Sequence, residues 1–151
     1  MEFKNFAEFK GMEGKALPTS EWITVTQEMI NAFAEATLDF QWIHIDVEKA
    51  TKYSPFKTPI AHGFMSVSLL SKFVESVAVI KSAKMGVNYG LNTIRFPHHV
   101  PVNSRLRAQV TVAKIEDYAE NAIKTFWDCV VEIEGVDKPA CVAQFITLAF
   151  E

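Results

Sequence analysis

The sequence predicts an α+β fold in which an antiparallel sheet wraps around one helix. The first half of the chain spaces its apolar residues as helices do, whereas the second half alternates apolar and polar residues as strands do. One stretch between them, residues 64–80, is apolar almost all round, which is typical of a buried helix. No other element is long and apolar enough to cover the concave face of a sheet.

Four elements are predicted up to residue 80. Residues 3–12 carry an apolar side chain at every third position, which indicates a short amphipathic helix, and Trp22–Val25 has the character of a short strand. Thr26 is a suitable N-cap for a helix that fades near Thr37. The long apolar helix, Phe64–Ile80, follows a turn that contains proline and glycine.

Four strands are predicted in the second half: Gly86–Phe96, Arg105–Val112, Asn121–Glu134 and Pro139–Phe150. The alternation within Arg105–Val112 and Asn121–Glu134 places apolar side chains on one face of each strand and polar side chains on the other. Short turns join consecutive strands, so the sheet is expected to be antiparallel, with its apolar face against the long helix.

Composition limits the classes of function. The chain has 151 residues, of which 49% are apolar and 22% charged, so residues 1–151 are expected to form a single domain. The net charge of −3 provides no general surface for nucleic acid. The longest uncharged apolar stretch, Pro59–Ser71, is shorter than the ~20 residues that a membrane-spanning helix needs.

The expected location is the cytoplasm. The N-terminal residues lack the continuous apolar segment of a secretory signal. Cys129 and Cys141 form no metal-like cluster, and two core thiols in a reducing compartment account for them better than a disulfide does.

Asp39 and His44 are the best candidates for acid/base chemistry. A spacing of five residues places side chains about 140° apart on a helix and on opposite faces of a strand, so an irregular loop is needed to bring them together. If the loop does so, the carboxylate and the imidazole can hold one water between them. The alternative is that Asp39 caps a turn and His44 is a half-buried loop histidine.

Gly63 stands where a turn delivers the chain to the apolar helix. Its backbone N–H is exposed to close approach by a ligand and is suited to binding a carbonyl oxygen that gains negative charge. An ordinary turn glycine is the alternative. Ser66, Ser68 and Ser71 lie on the same helix, where a hydroxyl usually bonds a carbonyl one turn earlier.

Other candidates are weaker. His98 and His99 lie between two prolines, which indicates a solvated turn, and no further ligands follow at the spacing of a zinc site. We therefore expect no bound metal. The sequence also lacks the glycine-rich motifs that hold nucleotides.

Several motifs in order resemble the MaoC-like hydratase family, and in particular its nodulation protein N-like branch. They are Asp39-Phe-Gln-Trp-Ile-His-Ile-Asp46, Ser54-Pro-Phe, Pro59-Ile-Ala-His-Gly63 and Val87-Asn-Tyr-Gly-Leu-Asn92. The resemblance runs from about residue 24 to 112. It implies a hotdog fold, an antiparallel sheet wrapped around a long central helix, that is usually dimeric. Because a sheet rich in Phe, Trp and Val leaves an apolar edge that a second copy can cover, we expect a homodimer or a dimer of dimers.

The resemblance also implies a function. The family includes enzymes that reversibly add water to a 2-enoyl thioester, and the motif match makes Asp39, His44 and Gly63 the catalytic residues. It makes Gln41, Trp42 and His62 of these motifs substrate-binding, together with Ser68, which lies beyond the motifs as a polar support near the site. The substrate implied is an acyl-CoA or an acyl-carrier thioester, and no cofactor is required.

The loop departs from the better-known hydratases, which have Gly-Asp-x-Asn-Pro-x-His. In this chain Leu38 replaces the glycine, Gln41 replaces the asparagine and Trp42 replaces the proline. Two other hypotheses therefore remain. One is a non-catalytic subunit that binds acyl-CoA or acyl carrier. The other is a hotdog thioesterase, although its acid on the central helix is hard to place because Glu75 lies late on that helix.

Overall fold

The computed structural model describes all 151 residues, and one five-stranded antiparallel sheet dominates it. None of its helices combines the length and the apolar character that crossing a membrane demands. The elements in chain order are β1 Glu2–Phe3, α1 Phe6–Lys10, β2 Ile23–Thr24, α2 Gln27–Thr37, α3 Trp42–Ile45, α4 Val47–Tyr53, α5 Gly63–Ser68, α6 Leu70–Val77, β3 Val79–Ile80, β4 Met85–Arg95, β5 Arg105–Ala119, β6 Ala122–Ile133 and β7 Val136–Phe150.

The strand order in the sheet is β2-β5-β6-β7-β4, and every pairing is antiparallel. Alternate residues of β5 and β6 are buried, as the sequence predicts, so one face of these strands forms the core. Val110 pairs with Cys129, and Cys129 in turn pairs with Ala143 on β7. The predicted antiparallel sheet with one apolar face is thus confirmed.

The apolar face packs on α5 and α6. Leu70 and Phe73 are fully buried in the same cluster as Val110, Trp127 and Phe145 of the sheet. Burying a side chain of this size stabilises the fold by roughly 1.5–3 kcal/mol. The helix predicted for residues 64–80 therefore performs the structural role expected of it.

The sequence predicts one continuous helix over residues 64–80, and that continuity is wrong. The helix is divided at Leu69 into α5 and α6, and residues 79–80 form β3, which pairs in parallel with β1. Phe64 is 70% exposed, although the sequence places it on a buried helix. Hydropathy alone did not predict that the chain leaves the helix to pair Phe3 with Ile80, because that pairing joins distant residues. The first predicted helix is likewise shorter, at Phe6–Lys10.

Strand β4 lies at the edge of the sheet and is bonded only to β7. Almost all of its eleven residues are exposed, in contrast with the alternating burial of β5 and β6. Its exposed large apolar residues are Met85, Val87, Tyr89 and Leu91. A long apolar edge of this kind is open to pairing with another chain.

Candidate active site

The loop after α2 brings Asp39 back toward the rest of the motif. Leu38 ends the helix in the left-handed conformation, with φ of 61°, and so reverses the chain. Asp39 and Phe40 are irregular, and α3 begins directly after Gln41. As a result, a carboxylate oxygen of Asp39 and one ring nitrogen each of His44 and His62 lie within 4.8 Å of one another. The irregular loop that the five-residue spacing requires is therefore present.

His44 is buried and its ring orientation is fixed. Its Nδ1 lies 2.6 Å from the carbonyl oxygen of Ile60. A carbonyl oxygen only accepts hydrogen bonds, so Nδ1 carries the proton and Nε2 of the neutral ring has a free lone pair. Gln27 of α2 also donates to the His44 carbonyl, at 2.7 Å, which ties the short helix α3 to the long one.

Burial is the main influence on the charge of His44. It lowers the pKa of the imidazole from 6.5, and the neighbouring His62 lowers it further, while the Ile60 carbonyl and Asp39 oppose the change. His44 is therefore predominantly neutral at pH 7. A neutral ring with a bare Nε2 is suited to accepting a proton.

His62 lies directly beneath His44 and is only 3% exposed. The two rings stack with their centroids 3.8 Å apart. Nε2 of His62 donates to the backbone carbonyl of Asp39 at 3.0 Å, and Phe33 packs on the ring at 5.0 Å between centroids. The sequence motif indicates a substrate-binding residue, whereas these contacts position the Asp39 loop.

The Asp39 carboxylate faces both imidazoles while remaining 55% exposed. Its Oδ2 lies 3.9 Å from Nε2 of His62, which is too far for a direct hydrogen bond. Separations of 4 to 5 Å between polar atoms are suited to a bridging water. Asp39 and His44 can therefore hold one water between them.

These three residues also offer a donor set of the kind that binds a metal ion. However, Nδ1 of His44 and Nε2 of His62 are both already hydrogen-bonded to backbone carbonyls. The two imidazoles are stacked at 27° rather than converging on one point. This arrangement fits a bound water better than a metal centre.

Gly63 is the first residue of α5 and borders a cavity of about 220 Å³. Its backbone N–H has no hydrogen-bond partner in the protein. A Cβ at this position would lie 3.2 Å from the ring of Phe96, so the site leaves no room for a larger residue without movement of that ring. Besides Gly63, the polar and aromatic residues in the cavity wall are His44, Ser66, Phe96, His98 and His99.

The structure brings Asp39, His44, His62 and Gly63 into one region. Three other predicted site residues lie outside the cavity wall. Ser68 is exposed and its hydroxyl donates to the Phe64 carbonyl at 2.8 Å. Gln41 is exposed, and Trp42 is half-buried with Lys49 above its ring at 4.9 Å.

The interpretation of His98 and His99 as a solvated turn is wrong. Both are half-buried, their rings stack at 4.3 Å, and both line the cavity beside His44. Ser66 is also part of the wall. Nothing in the local sequence pattern indicates that these three residues share a cavity wall. They come together because a β-bridge pairs Ile60 with Pro101, and the two residues are distant in the sequence.

A larger cavity, of about 580 Å³, lies between α6 and strands β4 and β7. It is lined mainly by apolar residues and includes Glu75, but neither Asp39 nor His44 borders it. Glu75 is therefore separated from the Gly63 cavity, which weakens the thioesterase hypothesis because that hypothesis needs an acid close to the thioester.

Comparisons with known proteins show the family to which this chain belongs. A family model described as the MaoC like domain matches residues 8–128. The 3-hydroxyacyl-thioester dehydratase Z of Mycobacterium tuberculosis is 44% identical over 95% of each chain. Nodulation protein N of Rhizobium leguminosarum bv. viciae is 40% identical, over 89% of this chain and 84% of its own.

Among solved structures, the R-hydratase PhaJ1 of Pseudomonas aeruginosa in its unliganded form has a TM-score of 0.75 at 22% identity. The match covers 97% of this chain and 86% of that one. The hotdog fold that the motifs imply is thereby confirmed. The match of the family model over most of the chain, together with relatives at 40% and 44% identity, establishes that this chain belongs to the MaoC-like domain family.

Proposed function

We propose that the protein is a hydratase/dehydratase of acyl thioesters, which interconverts a 2-enoyl and a 3-hydroxyacyl thioester. The observation that carries the proposal is that a ring nitrogen of His44 lies within 4.8 Å of the Asp39 carboxylate, while the Nδ1 proton of His44 is taken up by the Ile60 carbonyl. His44 also shares a cavity wall with the unpartnered N–H of Gly63. Asp39 and His44 can thus bind a water, while the N–H of Gly63 can bind the thioester oxygen.

The reaction adds one water across the C2–C3 double bond. The oxygen of a water held by Asp39 and His44 forms a bond to C3 as the π bond breaks, and one of its protons passes to this pair. The pair delivers a proton to C2, so H and OH are both added and no redox change occurs. The Gly63 N–H stabilises the negative charge that grows on the thioester oxygen.

Similarity to a 3-hydroxyacyl-thioester dehydratase and to an R-hydratase supports the same reaction class. CoA is the proposed carrier of the acyl group, and an acyl-carrier protein is the alternative. The protein is proposed to act in the cytoplasm, where its two free cysteines remain reduced.

The test is a spectrophotometric assay with crotonyl-CoA that follows loss of enone absorbance and release of thiol in parallel. A hydratase removes the absorbance without releasing thiol. Release of thiol, above all from a saturated acyl-CoA, would instead identify a thioesterase. Binding of crotonyl-CoA without either signal would identify a non-catalytic binding subunit, the hypothesis that the altered Gln41-Trp42 loop keeps open.

We also propose that the protein is a homodimer, alone or as half of a dimer of dimers, in which a second copy covers the free edge of β4. The support is the exposed apolar edge, which includes Val87 at 41% and Tyr89 at 54% exposure. Val87→Lys is expected to weaken the dimer in light scattering at micromolar concentration. Val47→Lys is the matched control, because Val47 is 51% exposed on α4, away from this edge. A wild-type monomer would contradict the proposal.

A further inference from the structure

Ser66 is a buried serine whose hydroxyl has no partner within the protein. The residue is 2% exposed and forms part of the wall of the Gly63 cavity. The hydroxyl oxygen is not one of the protein's sealed-off unpartnered polar atoms, so it opens onto the cavity, where a ligand can reach it.

The other serines of the two central helices all have partners. Ser68 donates to the Phe64 carbonyl at 2.8 Å and Ser76 to the Phe73 carbonyl at 2.7 Å. Ser71 donates to the Asn88 side chain at 3.0 Å. Bonding to a carbonyl three or four residues earlier is the usual solution for a helical serine, and Ser66 does not adopt it. Its hydroxyl remains available to a ligand.

The geometry of the helix directs this hydroxyl toward Gly63. Residues three apart lie on the same helix face, and helical side chains tilt toward the N-terminus of their helix. Ser66 follows Gly63 by three residues and both border the same cavity. Because Gly63 has no side chain, nothing of its own stands between its N–H and the Ser66 hydroxyl. Two unused donors therefore face one region.

We propose that the Ser66 hydroxyl is a second hydrogen-bond donor to the thioester oxygen of the substrate, beside the N–H of Gly63. This inference rests on the proposed hydratase function and adds a substrate-contacting residue to it. The bond strengthens as the oxygen gains charge in the transition state, so Ser66 contributes more to kcat than to KM.

The kinetic test uses Ser66→Ala. Loss of one such donor is expected to lower kcat with crotonyl-CoA by about 10²-fold, with a small change in KM. Ser66→Thr keeps a hydroxyl and should restore most of the loss. Ser76→Ala is the matched control, because its hydroxyl bonds within its own helix, and its kcat should equal that of the wild type.

Stability separates this role from a structural one. Alanine favours helix more than serine does, and the change breaks no hydrogen bond within the protein, so Ser66→Ala should unfold at the same temperature as the wild type or higher. An activity loss that follows a lowered unfolding temperature would overturn the proposal, as would full retention of kcat in Ser66→Ala.

A binding comparison tests the oxygen contact without turnover. Butyryl-CoA has the thioester carbonyl, whereas S-butyl-CoA has a methylene group in its place. Ser66→Ala should weaken butyryl-CoA binding only about two- to threefold, in line with the small change in KM, and leave S-butyl-CoA binding unchanged. Equal effects on both ligands, or none on either, would overturn the role of Ser66. A wild type that binds butyryl-CoA but never hydrates crotonyl-CoA would refute only the enzymatic function.

Discussion

The imidazole rings of His44 and His62 stack face to face, with centroids 3.8 Å apart and planes inclined by 27°. Of these two histidines, His44 borders the Gly63 cavity, whereas His62 donates a hydrogen bond to the backbone carbonyl of Asp39. One histidine thus contacts both members of the proposed catalytic pair. Nδ1 of His62 is buried without a hydrogen-bond partner, which lowers the stability of the fold. This loss of stability indicates that His62 serves the function of the site.

His62→Phe should therefore impair catalysis while keeping a ring beneath His44. The variant loses the hydrogen bond to the Asp39 carbonyl, so kcat should fall. It also removes the imidazole that helps to lower the pKa of His44, so the acidic limb of the kcat/KM profile should move to higher pH. A lower kcat with an unmoved limb and a reduced unfolding temperature would indicate a purely structural role.

Asp39 and His44 should behave as one unit because they share a water. Asp39→Asn and His44→Gln should each cause a large loss of kcat, and the double variant should be only slightly worse. Acyl-CoA binding should persist in all three. Additive losses, with each single variant above about a tenth of wild-type kcat, correspond to only ~1.4 kcal/mol per residue and would contradict the shared water.

Asp46→Asn is the matched control for Asp39→Asn. Asp46 belongs to the same motif, but its carboxylate accepts from the Lys49 N–H at 2.9 Å and so caps α4. Asparagine is an equally good N-cap, so this variant should keep both its stability and its kcat.

The pH dependence of stability should reflect the lowered pKa of His44. The unfolded chain binds a proton at this residue more readily than the folded protein does. The contribution of His44 is therefore present above pH 6.5 and is lost as the pH falls from 6.5 through the lower pKa of the folded state. Urea unfolding at several pH values should show this slope in the wild type and a smaller slope in His44→Gln.

Gly63→Pro and Gly63→Ala form a pair that isolates the N–H of Gly63. Both add a Cβ against Phe96, but only proline removes the donor. Proline is favoured at the first helical position, and His62, with φ −59° and ψ 138°, already has the conformation of a residue before proline. The kcat of the proline variant should be about 10²–10³-fold below that of the alanine variant. Equal activities in two folded variants would exclude the oxyanion role.

Leu38→Gly should stabilise the protein. Leu38 has φ of 61° and is 76% exposed, so its side chain gains little from burial while its backbone is strained. Glycine relieves that strain, although its greater flexibility also stabilises the unfolded chain. The net effect should raise the free energy of unfolding by about 0.5–1 kcal/mol. Chemical denaturation measures this change, and a decrease would show that the leucine side chain is needed in the loop.

Local patterns in the sequence account for much of the fold. Thr26 caps α2 as predicted and accepts from the Met29 N–H at 3.2 Å. The alternation along β5 and β6 predicts which face of the sheet is buried, because successive side chains of a strand point to opposite faces. The motifs also point to Asp39 and His44 as the proposed pair, whose approach needed only an irregular loop, and to Gly63 at the start of α5.

The remainder of the site depends on how distant segments pack. Ser66 and Ser68 are about 200° apart around a helix, and nothing local determines which of them faces the cavity. His98 and His99 join the cavity wall because Ile60 pairs with Pro101, about forty residues away along the chain, a contact with no local signature. The sequence by itself determined most strands of the main sheet and pointed to the proposed acid/base pair, since these follow from short-range spacing and motif. Only the tertiary structure decided which hydroxyl, which histidines and which strand edge are left free, because each of these depends on the orientation of one packed element against another.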